Sequence, residues 1–350
     1  MSTSRAPSSA LTSFVVASRY LPVYIALVLL VTVAAIWAPA ALGSVPLRAV
    51  APYGAVLAIT ALGQMLVVMT GGIDLSVPGT MSLAAVIMVG VGAGSDGNIG
   101  NAIAVALIAS AVVGLVNGIL IGGLKLNALI VTLAVGQIVI GVVRRYGNTF
   151  PVQNPVPEGW SEWVTGRVLG VSAVFWIGLG LTIVVSLILR YTAVGRRFQV
   201  VGANPVAAHV VGVRVALTQI LVYVVAAALY ASAGLALAGL IGRPGVFVGS
   251  QYLLAPIAAV VIGGASLTGG LASSISTFAA AIFLTGLNQM MLTMGLPTSL
   301  QFVVFGFVIV GGMLISGDRI IRVVERALRE PKRRGVMEAQ KAGPPAGPAG

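Results

Sequence analysis

Asp74 is the first carboxylate of the chain and the only charged residue between Arg48 and Asp96. It lies in Thr70-Gly71-Gly72-Ile73-Asp74-Leu75-Ser76, between two long apolar runs. An ionised side chain in such surroundings costs several kcal/mol, so it answers a functional or structural need. The paired glycines before it point to irregular or closely approached backbone. Two roles are open to the acid. It could face a solute or cation pathway, or, with Ser76, cap the helix that starts near residue 78.

The rest of the polar inventory excludes most chemistry. A single histidine, His209, and no cysteine leave no metal-ligand set, no disulfide and no histidine-based triad. His209 falls in a loop and reads as a surface or interface residue. There is no G-x-x-x-x-G-K-[ST] segment, so ATP is not bound through a P-loop here. Chains of buried carboxylates, the mark of proton relays, are missing too. No bound cofactor or metal is expected.

What remains is a scatter of neutral polar side chains in apolar segments: Gln64, Asn117, Asn127, Thr132, Gln137, Asn288, Gln289 and Gln301. Singly, each suits an interhelical hydrogen bond worth about 0.6 kcal/mol. Together, amides and hydroxyls suit a hydroxyl-rich solute, because they donate and accept without the desolvation cost of an ion. The candidate pathway residues are Gln64, Asp74, Ser76, Asn117, Gln137 and Asn288.

Two further segments stand out. Gly71-Gly72-Ile73-Asp74-Leu75-Ser76 and Gly263-Gly264-Ala265-Ser266-Leu267-Thr268 share the pattern G-G-x-[DS]-L-[ST] at an offset of 192 residues. In residues 195–213, Asn204-Pro205 can start a short helix, with Asn204 as N-cap, and Gly212 can end it. Val206, Ala207, Ala208, Val210 and Val211 make that helix largely apolar, so it needs a partner to bury against.

These groups are positioned by membrane helices. The chain has 350 residues, 58% of them apolar and 8% charged, against about 25% charged in soluble domains. Long unbroken apolar runs, rather than alternating ones, argue against a transmembrane β-barrel. Measured against the ~20 residues that cross hydrocarbon, the runs predict ten spans near 21–38, 53–70, 78–93, 101–123, 128–143, 168–189, 215–240, 253–265, 271–293 and 300–316. The third, fifth and eighth are expected to be short. With a cytoplasmic N-terminus, Lys and Arg divide 15 inside to 5 outside, four of the inside set within 190–214. The net charge of +12 is therefore read as topology and lipid contact, not nucleic-acid binding.

The expectation is an all-α integral membrane protein of about ten transmembrane helices, some short or broken, with both termini cytoplasmic. It divides into a cytoplasmic segment (1–20), a transmembrane domain (21–316) with a cytoplasmic loop at 190–214, a basic amphipathic helix (317–330) and a disordered tail (331–350). Residues 1–38 resemble a secretory signal, with Ala38-Pro39-Ala40 at the cleavage position, but the long apolar run favours an uncleaved first helix.

Three motifs carry a family resemblance: T-G-G-I-D-L-S at 70–76, G-R-R-x-x-x-x-G-x-N-x-x-A-A-x-x-x-G-V at 195–213, and G-G-A-S-L-T-G-G at 263–270. They resemble permease subunits of ABC importers of the ribose and simple-sugar type, over roughly residues 50–316. Pro78 before Gly79, and Leu271-Ala272-Ser273 after Gly270, depart from the family pattern. The resemblance implies import of a monosaccharide or similar polyol-like solute, delivered by a periplasmic or lipid-anchored binding protein. It implies two ATP-binding subunits and pairing with itself or a sister permease in a bacterial inner membrane. The ATPase-docking loop would comprise Arg196, Gly202, Asn204, Ala207, Ala208 and Gly212, and hydrolysis would belong to the partner. Relatives carry a furanone-like signalling sugar, nucleosides or amino acids. An ion-coupled secondary transporter using Asp74 is the competing class.

Overall fold

The computed structural model describes residues 9–149 and 154–316. The basic helix and tail expected after residue 316 lie outside them. In chain order the helices are α1 (Ser9–Trp37), α2 (Ser44–Met69), α3 (Val77–Gly92), α4 (Ile99–Gly118) continuing as a π-turn (Ile119–Gly123), α5 (Ala128–Thr149), α6 (Glu158–Thr165) and α7 (Ala173–Tyr191). There follow α8 (Ala193–Ala203), α9 (Pro205–Val210), α10 (Val215–Ile241), α11 (Ala255–Ile262), α12 (Ser274–Thr293) and α13 (Thr298–Ser316). Among the described residues, seven helices are long and apolar enough to cross a bilayer, and three shorter apolar ones accompany them.

Each expected span overlaps one of these helices, and four of the expectations need correction. The second is longer, because α2 already begins at Ser44 rather than 53. The fifth is not short: α5 continues through Arg144 to Thr149, and the Arg144 guanidinium sits 5.1 Å from the Phe247 ring centroid. The first helix begins at Ser9, well before the apolar run. The sixth begins at Ala173 rather than 168, because Arg167–Val168 (β1) and Val171–Ser172 (β2) form an antiparallel hairpin. Leu169 and Gly170 turn it with φ of +53° and +82°, the primed geometry that matches strand twist. Ser172 then caps α7 by accepting from the Phe175 N–H at 3.4 Å.

The core is built around α2, which is enclosed by α12, α10, α7 and α11. From Gly54 to Met69 every residue is buried. Glycine makes this enclosure possible by letting backbones touch. On α4 and its π-turn, Gly114, Gly118 and Gly122 pack against α10; a Cβ on Gly118 would stand 2.7 Å from the Ile220 Cα. Gly63 on α2 similarly faces the Ala226 carbonyl. α10 is thereby pressed between α4, α2 and α3. At its far end, the Trp160 indole of α6 donates to the Leu235 carbonyl at 3.0 Å.

Candidate functional site

The geometry of the Asp74 segment begins where α2 stops. Gly71 takes φ +84°, its N–H donating to the Val68 carbonyl (2.9 Å) while that of Gly72 donates to Val67 (3.1 Å). This is the paired-bond closure that a left-handed glycine gives a helix end. The chain then crosses to α3 carrying a fully buried Asp74. One carboxylate oxygen, Oδ1, accepts from the Ser76 N–H at 2.8 Å and from the Ser76 hydroxyl at 2.6 Å. Ser76 makes no side-chain cap bond to α3, so the acid organises the residue that precedes the helix.

Other elements close around this turn. The Asn117 amide of α4 donates to Ser76 Oγ at 3.0 Å. Thr132 of α5 accepts from the Leu75 N–H at 2.9 Å and donates to the Ala128 carbonyl at 2.8 Å. Gln64 of α2, with its amide in the orientation that satisfies both ends, donates to the Asp74 carbonyl (3.0 Å) and to the Tyr230 hydroxyl (3.2 Å) and accepts from the Asp74 N–H (3.2 Å). One side chain thus answers both backbone groups of Asp74, as a neighbouring strand would.

Four of the six candidate pathway residues, Gln64, Asp74, Ser76 and Asn117, therefore converge in one buried network. The other two stand elsewhere. Gln137 is exposed on α5, one residue past Gly136, which packs against Ser76. Asn288 is half-buried on α12, a helix that packs on α2, α1, α11 and α7. Asn127 caps α5, accepting from the Leu129 and Ile130 N–H groups. Tyr230 and Tyr223, seven residues apart on α10, are missed by the sequence reading. Their spacing on one helical face was the available signal, although such residues more often fill a core.

The second glycine segment meets the first. α11 ends as α2 does: Gly264 has φ +84°, with Gly264 N–H to Val261 carbonyl (2.9 Å) and Ala265 N–H to Val260 carbonyl (3.1 Å). The left-handed residue is the first glycine of one pair and the second of the other. The offset of 192 read from the motif is thus one residue out of structural register. Further on, the Gly270 N–H donates to the Met69 carbonyl at 2.8 Å, joining the two breaks.

Gly202, near the end of α8, is seated on that junction. A Cβ there would collide with the Met69 carbonyl and approach the Gly270 nitrogen to 2.7 Å; one on Gly269 would meet the Gly202 carbonyl at 2.6 Å. Immediately after, α9 has the ends expected of it. Asn204 Oδ1 accepts from the Val206 and Ala207 N–H groups, both at 3.0 Å. At the other end Gly212, φ +80°, donates to His209 and Val213 donates to Ala208, both at 3.0 Å. Ala208 is buried, whereas Arg196, Asn204, Ala207 and Gly212 are exposed. Val206, Val210 and Val211 are 73%, 81% and 72% exposed.

A bundle of membrane-length helices, with two glycine breaks joined by a backbone bond and covered by α8, has the build of a polytopic membrane protein. Residues 46–313 match the family model described as "Branched-chain amino acid transport system / permease component", and the chain belongs to that family. It is 32% identical over 268 residues to the ribose import permease protein RbsC of Escherichia coli (strain K12), covering 75% of this chain and 82% of that one. It is 30% identical over 281 residues to the autoinducer 2 import system permease protein LsrC of Salmonella typhimurium (strain LT2), covering 79% of each. No solved structure matches the chain. It is thus the permease component of an ABC transporter of bacterial inner-membrane type, and not itself catalytic.

Proposed function

We propose that this chain is the subunit through which a monosaccharide, or a polyol-like solute of similar size, enters the cell, with α8–α9 as the surface that docks the ATPase. The observation that carries the docking assignment is the contrast within the elbow. The bare valines of α9 stand on a helix capped at both ends, so little ordering cost attaches to binding there. Gly202 meanwhile touches both breaks with no slack. Closure of two ATP-binding subunits would push α9, and α8 would pass the displacement to the end of α2 and the segment leading into α12.

The arginines of 190–214 support a cytoplasmic elbow, and with it ten crossings and both termini on that side. For the solute, support comes from relatives named for ribose and autoinducer 2 import and from the neutral polar side chains. An amide such as Gln137 is costly against lipid, so its face of α5 suits the pathway or a second permease subunit. We assign the buried network the role of fixing the break. The remaining partners are a second permease subunit and an extracellular binding protein.

The test is co-reconstitution in proteoliposomes. Uptake of radiolabelled ribose should require the chain, its ATPase, its binding protein and ATP together. Uptake by the chain alone under a sodium or proton gradient would overturn the coupling. Selection of a branched-chain amino acid or a nucleoside over sugars by the intact system would overturn the solute class.

A further inference from the structure

A cleft of about 780 Å³ opens beside the Asp74 segment, between α9, the link from α4 to α5, and the start of α10. Its wall carries Lys125, His209 and Arg214, and no aspartate or glutamate. Lys125 is held in left-handed backbone, φ +57°, which an L residue with a long side chain seldom adopts without cause. Arg214 occupies the N-cap position of α10, a helix of 27 residues with no side-chain cap, and Val215 and Ala216 of its first turn also line the cleft. Such a helix start favours negative charge. An independent sign of a ligand lies at the base. Tyr223 lines the cleft, is 1% exposed, and its hydroxyl has no hydrogen-bond partner, although it lies against Gly72. A buried hydroxyl without a partner is uncommon and calls for an acceptor.

We propose that this cleft binds a phosphate-bearing anion, held by Lys125 and Arg214, with the first turn of α10 and the Tyr223 hydroxyl completing the donor set. The donors come from two separate elements, so an occupant ties the α4–α5 link to α10 beside the wall that α9 supplies. Two sources share this chemistry: a soluble phosphate compound and the headgroup of an anionic phospholipid. The cleft shares α9 with the surface assigned above to the ATPase, but the inference does not rest on that assignment, and its test uses the chain without partners.

The test uses the full chain in nanodiscs of phosphatidylcholine, titrated with inorganic phosphate by calorimetry against chloride of equal ionic strength. Wild type should bind phosphate saturably. Lys125→Gln/Arg214→Gln should bind at least ~10-fold more weakly, as expected for loss of charge-assisted bonds, and Tyr223→Phe several-fold more weakly. Lys125 and Arg214 are exposed and the buried Tyr223 hydroxyl has no partner to lose, so all three proteins should melt alike in chloride, which separates lost binding from lost folding. In a second arm, phosphatidylglycerol replaces part of the phosphatidylcholine. If the headgroup is the occupant, these discs abolish phosphate binding, and phosphatidylglycerol is retained by wild type but not by the double variant. If the occupant is soluble, the phosphate titration is unchanged. Absence of saturable binding by wild type in phosphatidylcholine, or equal binding by wild type and the double variant, overturns the proposal.

Discussion

Gly202→Ala tests the mechanical reading most directly. The added methyl would meet backbone on both sides, the Met69 carbonyl and the Gly270 nitrogen, so no rotamer change relieves it. Either α8 lifts away or the Gly270–Met69 hydrogen bond opens. Overpacking of this kind costs about 1–3 kcal/mol, and exposing two buried partners adds about 1–3 kcal/mol. A total of about 2–6 kcal/mol corresponds to a fall of roughly 3–8 °C in Tm for a chain of this length. Gly141→Ala is the matched control, since nothing lies within 4 Å of its Cβ position and it sits inside α5. There alanine should be neutral or stabilise by up to about 1 kcal/mol. The assays are thermal unfolding of the purified chain and hydrogen exchange at the Gly270 amide, which should speed up only in Gly202→Ala. In the reconstituted transporter the same variant should hydrolyse ATP while losing uptake. An unchanged Tm together with unchanged exchange at Gly270 would refute the seating of α8 on the two breaks.

Other expectations follow from single contacts. Asp74→Ala leaves the Ser76 N–H and hydroxyl without their acceptor and should cost on the order of 3 kcal/mol, read by thermal unfolding; Asp74→Asn keeps an acceptor oxygen and should cost less than half of that. Tyr230→Phe removes a partner of the Gln64 amide and should lower stability by about 1 kcal/mol, whereas Tyr223→Phe deletes a hydroxyl with no partner and should leave Tm in chloride unchanged. Asn204→Ala removes both cap bonds of α9, with an expected loss of about 1 kcal/mol measured as faster amide exchange in Val206 and Ala207. Val206→Asp/Val210→Asp should fold normally, since both side chains are exposed, yet lose stoichiometric co-purification with the ATPase.

The sequence was most legible where a residue type conflicts with its surroundings. A lone acid between apolar runs and paired glycines beside it located the break at 70–76. Asn204, Pro205 and Gly212 announced both ends of α9, because capping is a local matter decided within a few residues. The hairpin at 167–172 was hidden because Val168, Leu169 and Val171 continue the apolar run of α7, and nothing apolar distinguishes strand from helix over so short a stretch. The network was half visible. Gln64, Asp74, Ser76 and Asn117 are polar in apolar settings, but Tyr230 joins them only because glycines on α2 and α4 let α10 approach at backbone distance. The bond from Gly270 to Met69 links segments far apart in the chain, and no local periodicity reports such a pairing.

The enclosure of α2 also dictates an order of assembly. Its eventual sheath includes α10 and α12, which emerge on the order of 10–40 s after it at ordinary rates of synthesis. During that interval Gln64 can reach the Asp74 backbone but not Tyr230, and Gly63 lacks the Ala226 backbone it packs against, so the α10-facing side of α2 must meet lipid or a chaperoning insertase. Nascent chains truncated before residue 215 should therefore leave this side of α2 open to the bilayer and become preferred targets of membrane proteolysis. The same helix that anchors the finished molecule is its most vulnerable part while it is being made.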